Sequence, residues 1–352
     1  MTCGAMTDLT PTPGSNDEDA LIALHAQLVR LLGMHGVLLG STEDWRRLNG
    51  AVDALEDDER NKWYELFAYL ERCGRLFVHH EPPDCLDDMV ALADVLAALP
   101  KGRHIAVLAT TKAEALGLDV RTPSRIEKEQ ELVRSRRVTD ARRLHALVAL
   151  ADRGMYRPGV SRDVLFDEVL RPVAAWSTEV LIADRYLFNQ LEWRAARRSR
   201  APAEAVVWLL DKFAQHALPG AVVTLLGGVG EAGQPQNATA AADLVRREWS
   251  PSRKRVAEVR VRAAHWPSFS FKDQLAHDRH IAFGCDVAIK FIEGLDRLRE
   301  PDLWDPNGTW WTYAWTPQAI AAIRDAEDRM TRAAHTTPVV VTNPRLASSV
   351  AV

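Results

Sequence analysis

Apolar residues recur at helical spacing in several long segments, and short apolar runs lie between them. In the first half, the segment EDALIALHAQLVRLLGMHG at 18–36 is typical of an amphipathic helix. Short apolar runs at 37–41, 75–80 and 104–110 are typical of strands. Strands that alternate with helices favour a mainly parallel sheet with helices packed on it. We therefore expect a small three-layer α/β domain.

The second half repeats this alternation. Runs typical of strands occur at 177–187 and 221–227, and the run at 255–264 alternates at period two. A hairpin of two short apolar runs and a final amphipathic helix follow. The fold class expected is α/β, with the N-terminal domain followed by a second α/β domain. The predicted boundaries are a disordered start at 1–19, the small domain at 20–118, a charged helical connector at 119–160, the second domain at 161–335 and a tail at 336–352.

Composition narrows the class of protein. The 352 residues include 44 basic and 48 acidic side chains, a formal charge of −4, which excludes a wholly basic nucleic-acid binder but permits a local basic groove. No secretory signal and no apolar run near the roughly 18 residues that cross a bilayer are present in the sequence. The four cysteines are scattered and are expected to be reduced thiols of a cytoplasmic protein: Cys3, Cys73, Cys85 and Cys285.

Three motifs have both a functional and a structural interpretation. The glycines at 228–233 match G-x-G-x-x-G, but four residues separate the last glycine from the next helix, which favours a loop over a dinucleotide site. The acids Glu43 and Asp44 follow a strand, as in PIN-type nucleases, but a metal site needs further converging acids, so a scaffold domain is favoured. No cofactor or metal is predicted. The set His79, His80, Glu81 and Asp84 is expected to be surface polar residues.

Two further surfaces are candidates for ligand contact. The basic run that contains Arg194 and Arg197 is typical either of a phosphate or nucleic-acid patch or of a solvated helix end. Four of the eleven tryptophans occur in DLWDPNGTWWTYAW at 302–315. Its turn residues favour an aromatic plug that packs one end of the second domain; base stacking and lipid insertion are the alternatives.

The segment HDRHIAFG at 277–284 carries the main chemical candidate. Imidazole can attack phosphorus or transfer a proton, and guanidinium can hold two phosphate oxygens. Positions two apart on a strand share a face, so His277 and Arg279 are expected to point the same way and His280 the opposite way, in a structural role.

These residues resemble the His-x-Lys motif of phospholipase D-type enzymes. Here Arg279 replaces the lysine, and Gly284 stands where an aspartate is expected. Residues 293–296, Glu-Gly-Leu-Asp, replace the later Gly-Ser-x-Asn. These departures put catalysis by the usual route in question.

Residues from about 165 to 315 more specifically resemble the C-terminal phospholipase D-like domain of the MIT-domain-containing protein 1 family. That family has Asp-Pro-Tyr-Ile after one strand, then His-Asp-Arg-x-Ile and Gly-Leu-Asp further along. The matching positions are Asp184, Tyr186, Leu187, Thr224, His277, Asp278, Arg279, Ile281, Gly294, Leu295 and Asp296.

The resemblance implies a phospholipase D-like fold and binding of acidic phosphoinositide membranes without enzyme activity. Two departures weaken the implied binding of acidic phosphoinositide membranes: Arg185 replaces proline, and Glu293 replaces the family's arginine. An α/β unit also stands where the family has its three-helix domain. The Ala- and Arg-rich composition is typical of prokaryotes, so a component of anti-phage defence is an analogy at the level of fold.

The leading hypothesis is a module that recognises phosphate or phosphodiester groups, with a nuclease effector as its active form. In that form His277 is the nucleophile or general acid/base, Arg279 clamps phosphate and Asp296 orients the histidine. The wider phosphate-binding set is Asp184, Tyr186, Asp278, Lys290, Arg194 and Arg197. Two facing histidines are needed, so a homodimer is expected. The alternatives are a non-catalytic scaffold with a structural His-Asp-Arg motif and a peripheral protein of acidic membranes.

Overall fold

A computed structural model divides the chain into two compact units, residues 1–149 and 150–352. Each unit is described separately. The structure describes residues 2–3, 9–10, 17–35, 38–73, 75–79, 89–98, 104–122, 124–127, 130–150, 154–189, 191, 204–230, 234–249, 255–265, 279–284, 287–333 and 338–342.

The N-terminal unit is built on a six-stranded sheet. Its strands are β1 (Thr2–Cys3), β2 (Leu38–Ser41), β3 (Leu76–His79), β4 (His104–Leu108), β5 (Ser124–Glu127) and β6 (Gln130–Arg134). The order across the sheet is β3-β2-β1-β4-β6-β5. All neighbours pair in parallel except β5 and β6, which form an antiparallel hairpin.

Helices pack on both faces of this sheet, as the sequence predicts. They are α1 (Glu18–His35), α2 (Thr42–Asp53), α3 (Asp57–Arg72), α4 (Leu92–Ala98), α5 (Thr110–Ala115) and α6 (Arg142–Leu150). Successive residues of β4 point to opposite faces: Val107 joins the core beneath α1, α2 and α3, whereas Ala106 and Leu108 join the core beneath α4 and α5. The expected three-layer α/β domain is confirmed.

Two predicted boundaries are wrong. Residues 119–160, expected to be a charged helical connector, contain β5 and β6, and β6 is buried along its length. Thr2 and Cys3 lie within the range expected to be disordered, yet they form β1 between β2 and β4. The N-terminal sheet therefore draws strands from both sides of the predicted domain.

The C-terminal unit is built on a mixed eight-stranded sheet. Its strands are β7 (Gly154–Tyr156), β8 (Glu179–Ala183), β9 (Ala221–Val229), β10 (Val256–His265), β11 (His280–Phe283), β12 (Val287–Phe291), β13 (Thr309–Ala314) and β14 (Val339–Thr342). The order is β14-β10-β9-β8-β11-β12-β13-β7. β8, β9 and β10 are parallel, and the remaining pairs are antiparallel. β14 lies in the range expected to be an unpatterned tail.

Helices cover both faces of this sheet as well. They are α7, made of the consecutive segments Arg162–Leu165, Phe166–Leu170 and Arg171–Ala174, then α8 (Ala205–His216), α9 (Ala238–Glu248) and α10 (Pro317–Ala333). Val180 and Ile182 of β8 pack in a core with α7, α8 and α9. Ala183 lies on the opposite face with Met330 of α10. Within the described ranges, no helix is long and apolar enough to span a membrane.

The tryptophan-rich segment contributes β13 to the sheet. Trp311 is buried and packs against Tyr156 at 6.1 Å and Tyr313 at 6.3 Å between ring centroids. Its indole ring occupies the space where a Cβ at Gly154 would lie, so this cross-strand pair accepts only glycine without movement. Trp304 remains 43% exposed. The expected aromatic plug is thus a strand with one inward tryptophan.

Candidate functional site

The candidate residues meet where β8 ends and β11 begins. These strands run antiparallel, and Ala183 lies opposite His280. Asp184 and Arg279, the next residues at that edge, are therefore neighbours, with Arg279 Nε 4.0 Å from Asp184 Oδ1. The same edge holds the carboxyl ends of the parallel strands β8 and β9, the usual position of ligands in α/β sheets.

Asp184 holds backbone groups with both carboxylate oxygens. Oδ1 accepts the backbone N–H of Tyr186 at 2.8 Å, and Oδ2 accepts that of Leu295 at 3.0 Å. Burial raises the pKa of Asp184, while these two hydrogen bonds and the charge of Arg279 act in the opposite direction. The carboxylate thus fastens the turn after β12 to the end of β8.

Arg279 is held from two sides. Its Nη1 donates to the carbonyl oxygen of Glu293, and its guanidinium carbon lies 5.7 Å from the centre of the Tyr186 ring. The guanidinium of Arg185 lies 4.9 Å from the same ring. Arg279 Nε is buried and has no hydrogen-bond acceptor among the described residues. Two guanidinium groups therefore lie beside one aromatic ring at this edge.

The Glu-Gly-Leu-Asp segment at 293–296 wraps around Arg279. Gly294 has a φ of +96°, a conformation that favours glycine. A Cβ at this position would lie 2.8 Å from Asp296 Oδ1 and would also overlap the Arg279 side chain. The structure thus brings together four predicted residues: Asp184, Tyr186, Arg279 and Asp296.

His280 and Lys290 lie on the other face of the sheet. His280 is fully buried, with Nε2 2.8 Å from Glu327 Oε1 on α10, so the predicted structural role of His280 is confirmed. Lys290 lies opposite His280 in the β11–β12 pair, and directly opposed residues share a face. Its assignment to the phosphate-binding set is wrong, because Arg279 precedes His280 and points to the other face.

Several predicted residues lie outside the described ranges. They are His277, Asp278, Arg194 and Arg197 of the predicted phosphate-binding and catalytic set, and His80, Glu81 and Asp84 of the first half of the chain. The described residues contain no group of three or more histidine, cysteine, aspartate or glutamate side chains that could hold a metal ion.

The two acids after β2 have local structural roles. The Asp44 carboxylate accepts the backbone N–H of Ser41 at 2.9 Å, and the Ser41 hydroxyl oxygen accepts the backbone N–H of Asp44 at 3.1 Å, the reciprocal pair of a capping box at the start of α2. Hydrogen bonds from Arg46 and Arg47 lower the pKa of Glu43 to about 2. Both contacts favour the scaffold interpretation over a PIN-type metal site.

The glycine-rich segment is partly strand. Gly228 lies in β9, and its N–H donates to the carbonyl oxygen of Arg185 at 3.0 Å. A Cβ on Gly228 would lie 2.8 Å from that oxygen, so glycine permits close approach of two backbones. Residues 231–233 lie outside the described ranges, and the next helix begins at Ala238 with Asn237 as its N-cap.

Sequence reasoning missed the contribution of Arg185. The signal was present, because Arg185 is one of the departures from the Asp-Pro-Tyr pattern of the resembled family. An arginine is expected in solvent, but the structure buries Arg185 beside Tyr186.

A cavity of about 190 Å³ lies elsewhere, between the sheet and α10. Its lining includes Glu179, Thr224, Ala282 and Ile323. None of the predicted site residues lines it, and it is smaller than the 300–1,000 Å³ typical of small-molecule sites. We therefore place the candidate site at the end of β8. Comparison with models of known protein families and with curated proteins finds no match.

Proposed function

We propose that the C-terminal unit recognises a phosphate or phosphodiester group at the end of β8, with Arg279 as the main ligand. The observation that carries this proposal is the buried Arg279 Nε without an acceptor among the described residues. Leaving such a donor unsatisfied costs about 1–3 kcal/mol. Guanidinium groups match the geometry of phosphate oxygens, and Arg185 adds a second positive charge beside Tyr186.

The active form of this proposal is a phospholipase D-like nuclease in a prokaryotic defence system. His277 would act as nucleophile or general acid/base, and a homodimer would bring two such histidines together. The proximity of Asp296 to Arg279 across Gly294 supports the assignment of Asp296 as a positioning residue.

A second candidate function is a non-catalytic scaffold in which the motif is structural. The observation in its favour is that both oxygens of Asp184 and Nη1 of Arg279 already hold backbone groups. In this case Asp184 and Arg279 fasten the turn at 293–295 to β8, and the C-terminal unit binds protein or an acidic membrane surface through another part of its surface.

Binding measurements on the full chain separate the two candidates. We expect Arg279→Met to weaken binding of pyrophosphate or a short single-stranded oligonucleotide by about 10- to 100-fold, since a hydrogen bond to a charged group contributes about 1.5–3 kcal/mol. The matched control is Arg162→Met in the same unit. Arg162 is buried and donates to the carbonyls of Leu298 and Arg299 at 2.8 and 2.9 Å, so its loss is expected to lower the melting temperature and leave binding unchanged.

The scaffold candidate predicts a different result. If the wild-type chain binds neither probe, or if Arg279→Met lowers the melting temperature without changing affinity, phosphate recognition is wrong and the structural role stands. The active form is tested with end-labelled DNA and RNA, with and without EDTA. Cleavage that persists in EDTA and is lost in a folded His277→Ala variant supports it. Light scattering tests the dimer, and liposome co-sedimentation tests the membrane alternative.

A further inference from the structure

The strand order of the N-terminal unit contains a reversal on either side of β1. The chain passes from β1 to β2 and β3 on one side, and then returns to place β4 and β6 on the other side of β1. Ligands of open parallel sheets bind beyond the carboxyl ends of the strands, where the order reverses. In this unit that position lies at the carboxyl ends of β1 and β4.

Arg134 lies at this edge. It is the last residue of β6, in register with Leu108, the last residue of β4. The Arg134 residue is 8% exposed. Its Nη2 donates to Glu114 Oε1 at 3.0 Å, whereas its Nη1 is buried and has no hydrogen-bond acceptor in the described part of the chain.

The contact with Glu114 does not explain why an arginine is buried there. The Glu114 side chain is 54% exposed, and an ion pair with a solvated partner contributes little, about 0–1 kcal/mol. Arg75 also has a buried atom, Nε, without an acceptor among the described residues, but its other contacts differ: it lies at the amino end of β3, donates to the carbonyl oxygen of Gly33 at 2.9 Å and stacks on Tyr69 at 5.0 Å. Arg75 thus ties β3 to a backbone carbonyl in another segment of the unit, whereas Arg134 contacts a solvent-exposed side chain that a ligand could displace.

We propose that Arg134 binds the phosphate group of a small ligand at the carboxyl edge of the N-terminal sheet. In the bound state a phosphate would replace the Glu114 carboxylate and accept hydrogen bonds from both Nη1 and Nη2, the two-point geometry that guanidinium offers to phosphate. The shared chemistry is a phosphate group, whether it belongs to a nucleotide or to inorganic phosphate.

Calorimetric titration of the full chain with AMP, pyrophosphate and inorganic phosphate tests this site. We expect Arg134→Met to weaken binding of at least one probe by tenfold or more, and Arg134→Lys to weaken it less, because lysine keeps the charge but loses the two-point geometry. All titrations use a chain that carries Arg279→Met, so that the site proposed for the C-terminal unit does not contribute to phosphate binding. In this background Arg75→Met, buried at the opposite edge of the same sheet, is expected to leave the binding within twofold.

Three outcomes overturn the proposal. It is wrong if the wild-type chain binds none of the probes, or if Arg75→Met weakens binding as much as Arg134→Met. Binding by the wild-type chain that is absent from the Arg279→Met chain would assign the phosphate to the C-terminal unit and support the function proposed for that unit instead. Circular dichroism of Arg134→Lys confirms that the fold is retained. Tighter binding of AMP than of inorganic phosphate identifies a nucleotide as the source of the phosphate.

Discussion

His25 is a buried imidazole of the N-terminal unit with partners on both ring nitrogens. Nε2 lies 2.7 Å from the carbonyl oxygen of Leu9, and Nδ1 lies 3.0 Å from the indole Nε1 of Trp63. The indole N–H can only donate, so Nδ1 accepts and Nε2 carries the proton. Burial lowers the pKa of His25, partly offset by the Leu9 carbonyl. Protonating Nδ1 would place its N–H against the N–H of the Trp63 indole, and the hydrogen bond between them would be lost.

This network predicts loss of stability in mild acid. A pKa lowered on folding means that the unfolded chain binds the proton more tightly, so stability is present above the ordinary value of 6.5 and falls as pH decreases towards the lowered pKa. We expect His25→Gln to lose less free energy of unfolding than wild type between about pH 7 and about pH 5. Urea denaturation across this range measures it.

The exposed His145 provides the control for this experiment. His145→Gln is expected to keep the pH dependence of wild type. Parallel decreases in stability of His25→Gln and wild type would show that the acid sensitivity arises elsewhere in the chain.

Among strands, the β7–β13 pair depends on a glycine. The Trp311 ring lies where a Cβ of Gly154 would be, and the two residues are cross-strand partners. We expect Gly154→Ala to lower the free energy of unfolding by about 1–3 kcal/mol, because a rigid indole must move in a packed core. Chemical denaturation followed by tryptophan fluorescence measures this change.

Gly50→Ala is the control for Gly154→Ala, and the expected change in stability has the opposite sign. Gly50 lies in α2 with open space around its Cβ position. Alanine there is expected to raise stability by about 0.5–1 kcal/mol, because glycine loses more conformational freedom in a helix. If Gly154→Ala instead leaves the free energy of unfolding unchanged, the contact between β7 and β13 adds nothing to stability, and this prediction is wrong.

The β5–β6 hairpin shows why the connector prediction was wrong. Its sequence is charged, which is typical of a solvated helix. Glu131 is nevertheless buried in β6, because its carboxylate accepts the backbone N–H groups of Arg142 and Arg143 at 2.7 and 2.8 Å, at the start of α6. A buried charge is tolerated when its hydrogen bonds are satisfied, and these partners come from a separate element.

On the scale of the whole molecule, each unit has its own hydrophobic core, and β7 belongs to the second. We expect a fragment of residues 154–352 to fold with a cooperative transition. A fragment of residues 161–352 begins at the boundary that the sequence predicts and lacks β7. Its β13 edge and Trp311 are then uncovered, which favours aggregation.

Thermal denaturation and light scattering of the two fragments test this boundary. The shorter fragment is expected to melt several degrees lower, in line with a loss of about 1–3 kcal/mol of packing. Equal melting temperatures, with both fragments monomeric, would show that β7 is dispensable and that the unit begins after it.

The sequence by itself determined the α/β class and most helices and strands, because apolar periodicity is local. The set Asp184, Tyr186, Arg279 and Asp296 came from the resemblance of short motifs to a known family. Only the tertiary structure decided that Asp184 and Arg185 are buried beside Arg279, that Lys290 lies on the other face and that charged β6 is internal. Burial and strand register depend on partners distant in sequence, and satisfied hydrogen bonds permit charges where polarity alone predicts solvent.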